Sequence, residues 1–535
     1  MRELLILAYD IGTTGVKTCL FDVSNEIKMV GSASCGYGLY TFPNGGAEQH
    51  ADEWWDAMCR STREMLASAA IDPSEIKGIS FCSQMQGLVL VDREGVPVRH
   101  PMSYMDQRAS KQIEEGLGRG FKIAGMNAVK LLKSLHATGA VSASVKDPMW
   151  KYLWVKEEEP DAFARACKWL DVKEYLISRC TGRMIMTEDS AFSTFLMETR
   201  SGKRCWNEEL CRMFGVDMNH LPEIIKTTDQ VGPLRAEQAA QLGLAEGTPV
   251  YGGGGDAALI GIGAGCVRTG DTHIYCGTSG WVATITDKQA VDTTNMIAAA
   301  VGAQPGLYNY FAEMETAGKS LEWVKDHLAL DEIGIYMEKK DITGSMEHIY
   351  TSLYDYMSEV VAKSEPGAGG VIFAPWLHGN RCPFEDAKAG GMFFNISLDT
   401  GKTEMIRAVV EGVCYHLRWM LECGEKKVKA SDTIRFCGGG ALSPVTSQIL
   451  ADILGRAVEV PYQPQNVGSV GAALTAAVGA GAIGSIEEIS GVIKPAAVYL
   501  PGNCGEEGKA AYDRNYHVFK RLHDSNKKLF AEING

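Results

Sequence analysis

The chain lacks any Cys-x-x-Cys pair: its 15 cysteines lie singly along 535 residues. Isolated thiols in so long a chain exclude a small disulfide-stapled scaffold and fit a reducing compartment. No His/Cys cluster has zinc spacing. No hydrophobic run approaches the roughly 20 residues of a membrane helix. The apolar run at the N-terminus is short and is followed by Asp10, which predicts a buried strand and not a signal peptide. There is no low-complexity tract and no block of like charge, so the chain is expected to be mainly ordered. A net charge of -14 argues against nucleic acid or an anionic membrane as the main partner. It leaves a phosphate ligand open, because backbone N–H groups hold phosphate without a basic patch. Two catalytic signatures are also missing: the Gly-x-x-x-x-Gly-Lys-[Ser/Thr] loop and the Gly-x-Ser-x-Gly elbow. These absences predict a cytoplasmic protein.

What is present predicts two large α/β domains, since 535 residues exceed one hydrophobic core. Residues 4–9 are apolar, 12–15 read Gly-Thr-Thr-Gly, and 16–21 are again strand-like. Strands joined by so short a link form an antiparallel hairpin. Residues 53–70 have helical spacing, with Trp54, Met58, Met65 and Leu66 on the buried side. The design recurs at 272–286: strand, Gly277-Thr278-Ser279-Gly280, strand. A hairpin at the head of each half predicts two domains of like topology. The four glycines 252–255 place the boundary, giving domains 1–253 and 254–535. Helices are expected over 403–422 and 444–454, with a strand at 433–436 entering Gly438-Gly439-Gly440. The small residues of 468–481 predict a helix packed closely on its neighbours, as do Gly261 to Gly265 inside the helix after Asp256.

Each hairpin can aim backbone N–H groups and threonine or serine hydroxyls at one anion. Asp10, at the end of its strand, could hold Mg²⁺ through water. Either turn alone reads as a plain hairpin turn; two turns facing across a cleft would grip successive phosphates of a nucleotide. Asp256 follows four glycines and could take a proton from a hydroxyl that attacks a γ-phosphate. It reads equally as a helix N-cap, and capping would fix its carboxylate. The turn 438–440 could admit a flat base, or be a tight turn only. Residues 83–87 (Ser-Gln-Met-Gln-Gly) and 104–108 (Tyr-Met-Asp-Gln-Arg) are polar clusters that could bind sugar hydroxyls, although on spacing alone they read as loops.

Those segments, with 318–323, 379–383, 407–412 and 451–452, match in order almost the whole of a known family. The chain resembles the FGGY carbohydrate kinases, and within them the xylulokinase-like branch. The resemblance implies two ribonuclease-H-like (actin-like ATPase) domains flanking a catalytic cleft. It implies ATP and Mg²⁺, a small-molecule sugar substrate and, at family level, a homodimer. By the resemblance Asp256 is the catalytic base and Asp10 the carboxylate near the metal, with Asp256 beside it. Gly12, Thr13, Thr14, Lys17, Gly277, Thr278 and Ser279 fall at the phosphates. Gly318, Glu322, Gly439 and Gly440 fall around the nucleotide, and Met85, Gln86 and Asp106 at or beside the sugar. Two positions depart from xylulokinases: Gln86 stands where they have His, and Ala257 where they have Asn. Both bear on which sugar is taken, since Gln can hydrogen-bond a hydroxyl but cannot titrate. The Arg-Glu pair of glycerol kinases is missing after Gln84, which weighs against glycerol.

Transfer from MgATP to a ketose hydroxyl, a pentulose such as xylulose first and another ketose, polyol or aldonate second, is the leading expectation. An actin- or Hsp70-like ATPase would use the same hairpins without needing Asp256 or a sugar. A silent sugar-sensing regulator would bind without turnover, a reading that the intact Asp10 and Asp256 oppose.

Overall fold

The strand Leu5–Ile11 is buried on both faces, and its side chains divide between two cores. Leu5, Leu7, Tyr9 and Ile11 pack with Trp54, Met58, Met65 and Leu66 of the helix Ala51–Ala69. Ile6 and Ala8 face the other way, into a core shared with Leu259, Ile262, Ala473 and Leu474. The computed structural model describes residues 4–200, 203–328 and 355–535. Among them, the expected helices occur as Ala51–Ala69, Lys402–Glu425 and Pro444–Leu454.

The first sheet runs Lys28–Gly36, Gly15–Asp22, Leu5–Ile11, Ile76–Ser83, Pro249–Tyr251, Gln230–Pro233. Its first three strands form an antiparallel meander, the next two run parallel to Leu5–Ile11, and the last is antiparallel. The second sheet repeats this order: Tyr308–Met314, Gly280–Thr286, Thr272–Cys276, Thr433–Cys437, Ala457–Pro461, Pro495–Tyr499. Two further strands, Ile297–Val301 and Val291–Asp292, extend its meander edge. The duplication expected from the two hairpins therefore extends to whole sheets.

Two helices, Asp256–Gly263 and Val467–Gly479, cross in close contact beside the first sheet. A Cβ on Gly263 would lie 1.8 Å from the Val467 carbonyl oxygen, and one on Gly471 2.3 Å from that of Leu259. Backbone touches backbone there, so glycine is needed at both positions. The second helix also lies against Leu5–Ile11 and Ile76–Ser83 of the first sheet. Two expectations shift by a residue or two. The first strand runs past Asp10 to Ile11, and the helix after Asp256 ends at Gly263. Gly265 is thus outside that helix, in a left-handed turn at φ +81°. Among the described residues no helix is long and apolar enough to cross a membrane, and all 15 cysteines are free thiols.

Candidate active site

The first hairpin turns at residues 12–14, where the Gly12 N–H donates to the Gly15 carbonyl at 2.9 Å. The other carbonyls of the turn are tied back. Tyr37 donates its N–H to the Thr14 carbonyl at 3.0 Å and its hydroxyl to that of Gly12. Gln49 Nε2 donates to the Thr13 carbonyl at 2.6 Å, and Gln84 Nε2 braces Gln49 at 3.0 Å. With its oxygens engaged, the turn presents N–H groups and hydroxyls, the polarity an anion needs. The second hairpin uses the same device with different parts. The N–H groups of Ala317 and Lys319 donate to the Thr278 carbonyl, and that of Gly318 to Gly277 at 2.7 Å. A Cβ on Gly318 would sit 2.3 Å from the Gly277 oxygen, so the helix Gly318–His327 can dock on the turn only with glycine there. Glu322 lies one turn further along this helix. Gly438 and Gly440 close on the base of the same hairpin: a Cβ on either would come within 2.6 Å of Cys276. Gly439 opens the short turn Gly439–Leu442 between them.

Asp10 lies on the face of its strand that carries Ile6 and Ala8, as side-chain alternation requires. Its register partners are Lys17 on one side and Cys82 on the other. Lys17 Nζ donates to Asn466 Oδ1 at 2.7 Å, a bond that joins the two halves. The Gly468 backbone sits so close that a Cβ there would be 3.4 Å from Asp10 Oδ2. Asp10 is therefore at the N-terminus of the helix Val467–Gly479, where a carboxylate is favoured. Burial still pushes its carboxyl up, against the Lys17 field and the Cys82 hydrogen bond.

The strand Gly254–Gly255 pairs with Cys82 and Ser83, which in turn pair with Asp10 and Ile11. Asp256 thus leaves the sheet at the carboxyl end of a parallel strand, two strands across from Asp10 and two residues beyond the register partner of that row. It is the first residue of its helix; the N-cap is Gly255, which corrects the capping expectation. Its Oδ1 accepts from the Ala257 N–H at 2.7 Å. Burial pushes its carboxyl up to about 7; the Ala257 bond opposes this, and the fields of Asp10, Glu313 and Asp189 add to it. A carboxyl that titrates near neutrality in a cleft suits proton transfer.

Met85 abuts this centre: a Cβ on Gly255 would be 2.2 Å from its Cγ and Sδ. Gln86 has φ +64°, and its backbone is clamped. Its N–H donates to Asp171 at 2.9 Å, and its carbonyl accepts from the buried Lys151 at 2.8 Å. Asp106 is fully buried and accepts from the Ala47 N–H and the Arg108 guanidinium. It shapes the 103–108 loop from within, while Tyr104 and Met105 turn outward. Tyr104 accepts from the Thr13 hydroxyl at 3.4 Å. Burial pushes its phenol up, and Asp256 and Glu313 push the same way, so it shares their cleft. Tyr275 stacks on Trp281 at 4.1 Å. Its phenol is raised by burial and then by Asp10 and Asp256. Tyr104 belongs to the polar cluster 104–108 already singled out for sugar hydroxyls, whereas Tyr37, Gln49, Tyr275 and Glu313 were not legible as site residues, because each lies outside the motifs.

Two duplicated ribonuclease-H-like domains of the actin-like ATPase class, each presenting a tied-back hairpin to a cleft with carboxylates, define a phosphotransferase. Family models bear this out: the FGGY family of carbohydrate kinases matches with its N-terminal domain over residues 5–263 and its C-terminal domain over 273–480. The chain belongs to this family and is a sugar kinase with ATP as co-substrate. It is 29% identical to a xylulose kinase of Staphylococcus epidermidis, over 100% of this chain and 99% of that one. It is 27% identical to a gluconokinase of Bacillus licheniformis, over 99% and 97%. The gluconate kinase structure from Lactobacillus acidophilus superposes with a TM-score of 0.83 at 24% identity, covering 99% and 100% of the two chains.

Proposed function

We propose that this kinase phosphorylates a ketose hydroxyl, with a pentulose such as xylulose as acceptor. The observation that carries the mechanism is the Asp256 carboxyl, held near neutrality at the head of a helix between two anion-facing hairpins. Asp256 takes the proton of the attacking hydroxyl. The new bond forms from that oxygen to the γ-phosphorus, the bond to the β,γ-bridging oxygen breaks, and ADP leaves. Thr13, Thr14, Gly12 and Lys17 serve the phosphates from residues 1–253. Gly277, Thr278, Ser279, Gly318, Glu322, Gly439 and Gly440 serve the nucleotide from residues 254–535. Met85 and Gln86 border the sugar, and Asp106 holds the loop beside it. Among the described residues no group of three or more His, Cys, Asp or Glu gathers as a metal cage. Two carboxylates near incoming phosphate oxygens nevertheless fit Mg²⁺, which prefers few protein ligands and keeps its waters. Asp10, through water, and Asp256 would hold it, and the ion supplies charge neutralisation on the phosphates.

The xylulose kinases among the relatives support a pentulose, whereas the gluconokinases favour an aldonate as the second reading. ADP release with MgATP and a panel of pentuloses, hexuloses, polyols and aldonates decides between them. A pentulose is expected to give the largest kcat/KM. A larger value with gluconate replaces the acceptor, and a flat panel over steady ATPase rejects sugar transfer. Gln86→His keeps a residue tolerated at positive φ and is expected to change the order of acceptors about tenfold in relative kcat/KM. An unchanged order would place residue 86 outside the pocket.

A further inference from the structure

The four glycines 252–255 leave the backbone before Asp256 without the steric preferences that other residues supply. Something else must aim that carboxylate, and a buried cluster beneath the turn does so. Asp189, in the helix Glu188–Ser193, is 1% exposed. Its Oδ2 accepts from the Gly255 N–H at 2.6 Å, across 66 residues of sequence. Its Oδ1 is buried without a hydrogen-bond partner among the described residues. An unsatisfied buried carboxylate oxygen costs stability, so this residue does more than fill space. Beneath it, Lys173 Nζ is fully buried, held by Glu174 and by the hydroxyls of Thr187 and Ser190, both at 2.6 Å. The Lys173 charge is felt by Asp189 and also by Asp171, the carboxylate that clamps the N–H groups of Gln86 and Gly87.

We propose that Asp189 is a positioning residue for phosphoryl transfer: by fixing the Gly255 amide it sets the direction of the Asp256 carboxylate. This rests on the reading of Asp256 as the base. Asp189 acts through the Gly255 amide. Its charge also reaches Asp256, together with those of Asp10 and Glu313; the phenols of Tyr104 and Tyr275 and the Cys82 thiol share that field.

The test compares Asp189→Ala, Asp189→Asn and Asp256→Asn in the full chain, with MgATP and the most active of D-xylulose, D-gluconate and glycerol. Asp189→Ala is expected to lower kcat about 10- to 100-fold, with KM for ATP nearly unchanged. It should also speed amide hydrogen exchange in a peptide spanning residues 252–258. Asp189→Asn keeps an acceptor for the Gly255 amide, so most of kcat and the slow exchange of that peptide return. A folded Asp189→Ala with wild-type kcat and exchange overturns the proposal. So does equal loss of kcat in both Asp189 variants, which is the mark of a merely structural residue. Turnover that survives in Asp256→Asn removes the base assignment instead, and so separates the two failures.

Discussion

Asp256→Asn is expected to lower kcat by at least about 100-fold while ATP still binds, the loss typical of removing a general base. ADP release and an ATP titration of the variant measure the two effects separately. In the wild type the carboxyl must lose its proton before it can accept another. Burial, with the fields of Asp10, Glu313 and Asp189, holds it at about 7. The acceptor kcat/KM should therefore rise with pH through that value and level off above it. Stability has the opposite sign. The folded carboxyl titrates above its ordinary value of 3.8, so the folded state binds more protons between the two. Stability from this site is consequently lost as pH climbs from about 4 to about 7. Asn carries no charge to bury. Asp256→Asn should melt higher than wild type at pH 8, with the gap narrowing toward pH 5. A lower melting temperature at pH 8 would mean that the carboxylate is paid back by contacts with the protein.

Gly263→Ala should strike the fold as hard as Asp256→Asn strikes turnover. Its Cβ would lie 1.8 Å from the Val467 carbonyl, a backbone atom that no rotamer change can move aside. Overpacking of this kind costs about 1–3 kcal/mol. Relief requires the helices Asp256–Gly263 and Val467–Gly479 to separate. That movement would pull Asp256 and Gly468, the neighbour of Asp10, away from each other. Thermal unfolding should show a clear drop in Tm, and kcat should fall with it although the residue lies two helical turns from the chemistry. Normal Tm and kcat together would show that this crossing has slack. Gly270→Ala is a useful control, since a Cβ there meets nothing within 4 Å, although its φ of +95° carries a strain cost of its own.

The sequence by itself determined the elements whose cause is local. The spacing of Trp54, Met58, Met65 and Leu66 predicted the helix Ala51–Ala69, and the Gly-Thr-x-Gly turns predicted both hairpins. The small residues around Gly468 predicted close helix packing, because missing side chains have that one consequence wherever the helix lands. Ordered glycine motifs also carried the family. Only the tertiary structure decided what ties the hairpins back and what aims Asp256. Tyr37, Gln49, Asp189 and Asn466 act on partners 25, 36, 66 and 449 residues away. Side-chain chemistry at such separations leaves no local pattern. Nor could the orientation of Asp10 be read in advance. Its strand is buried on both faces, so the polar–apolar alternation that would reveal a face is absent. Packing of one helix from the second half against that strand settled which side became the cleft.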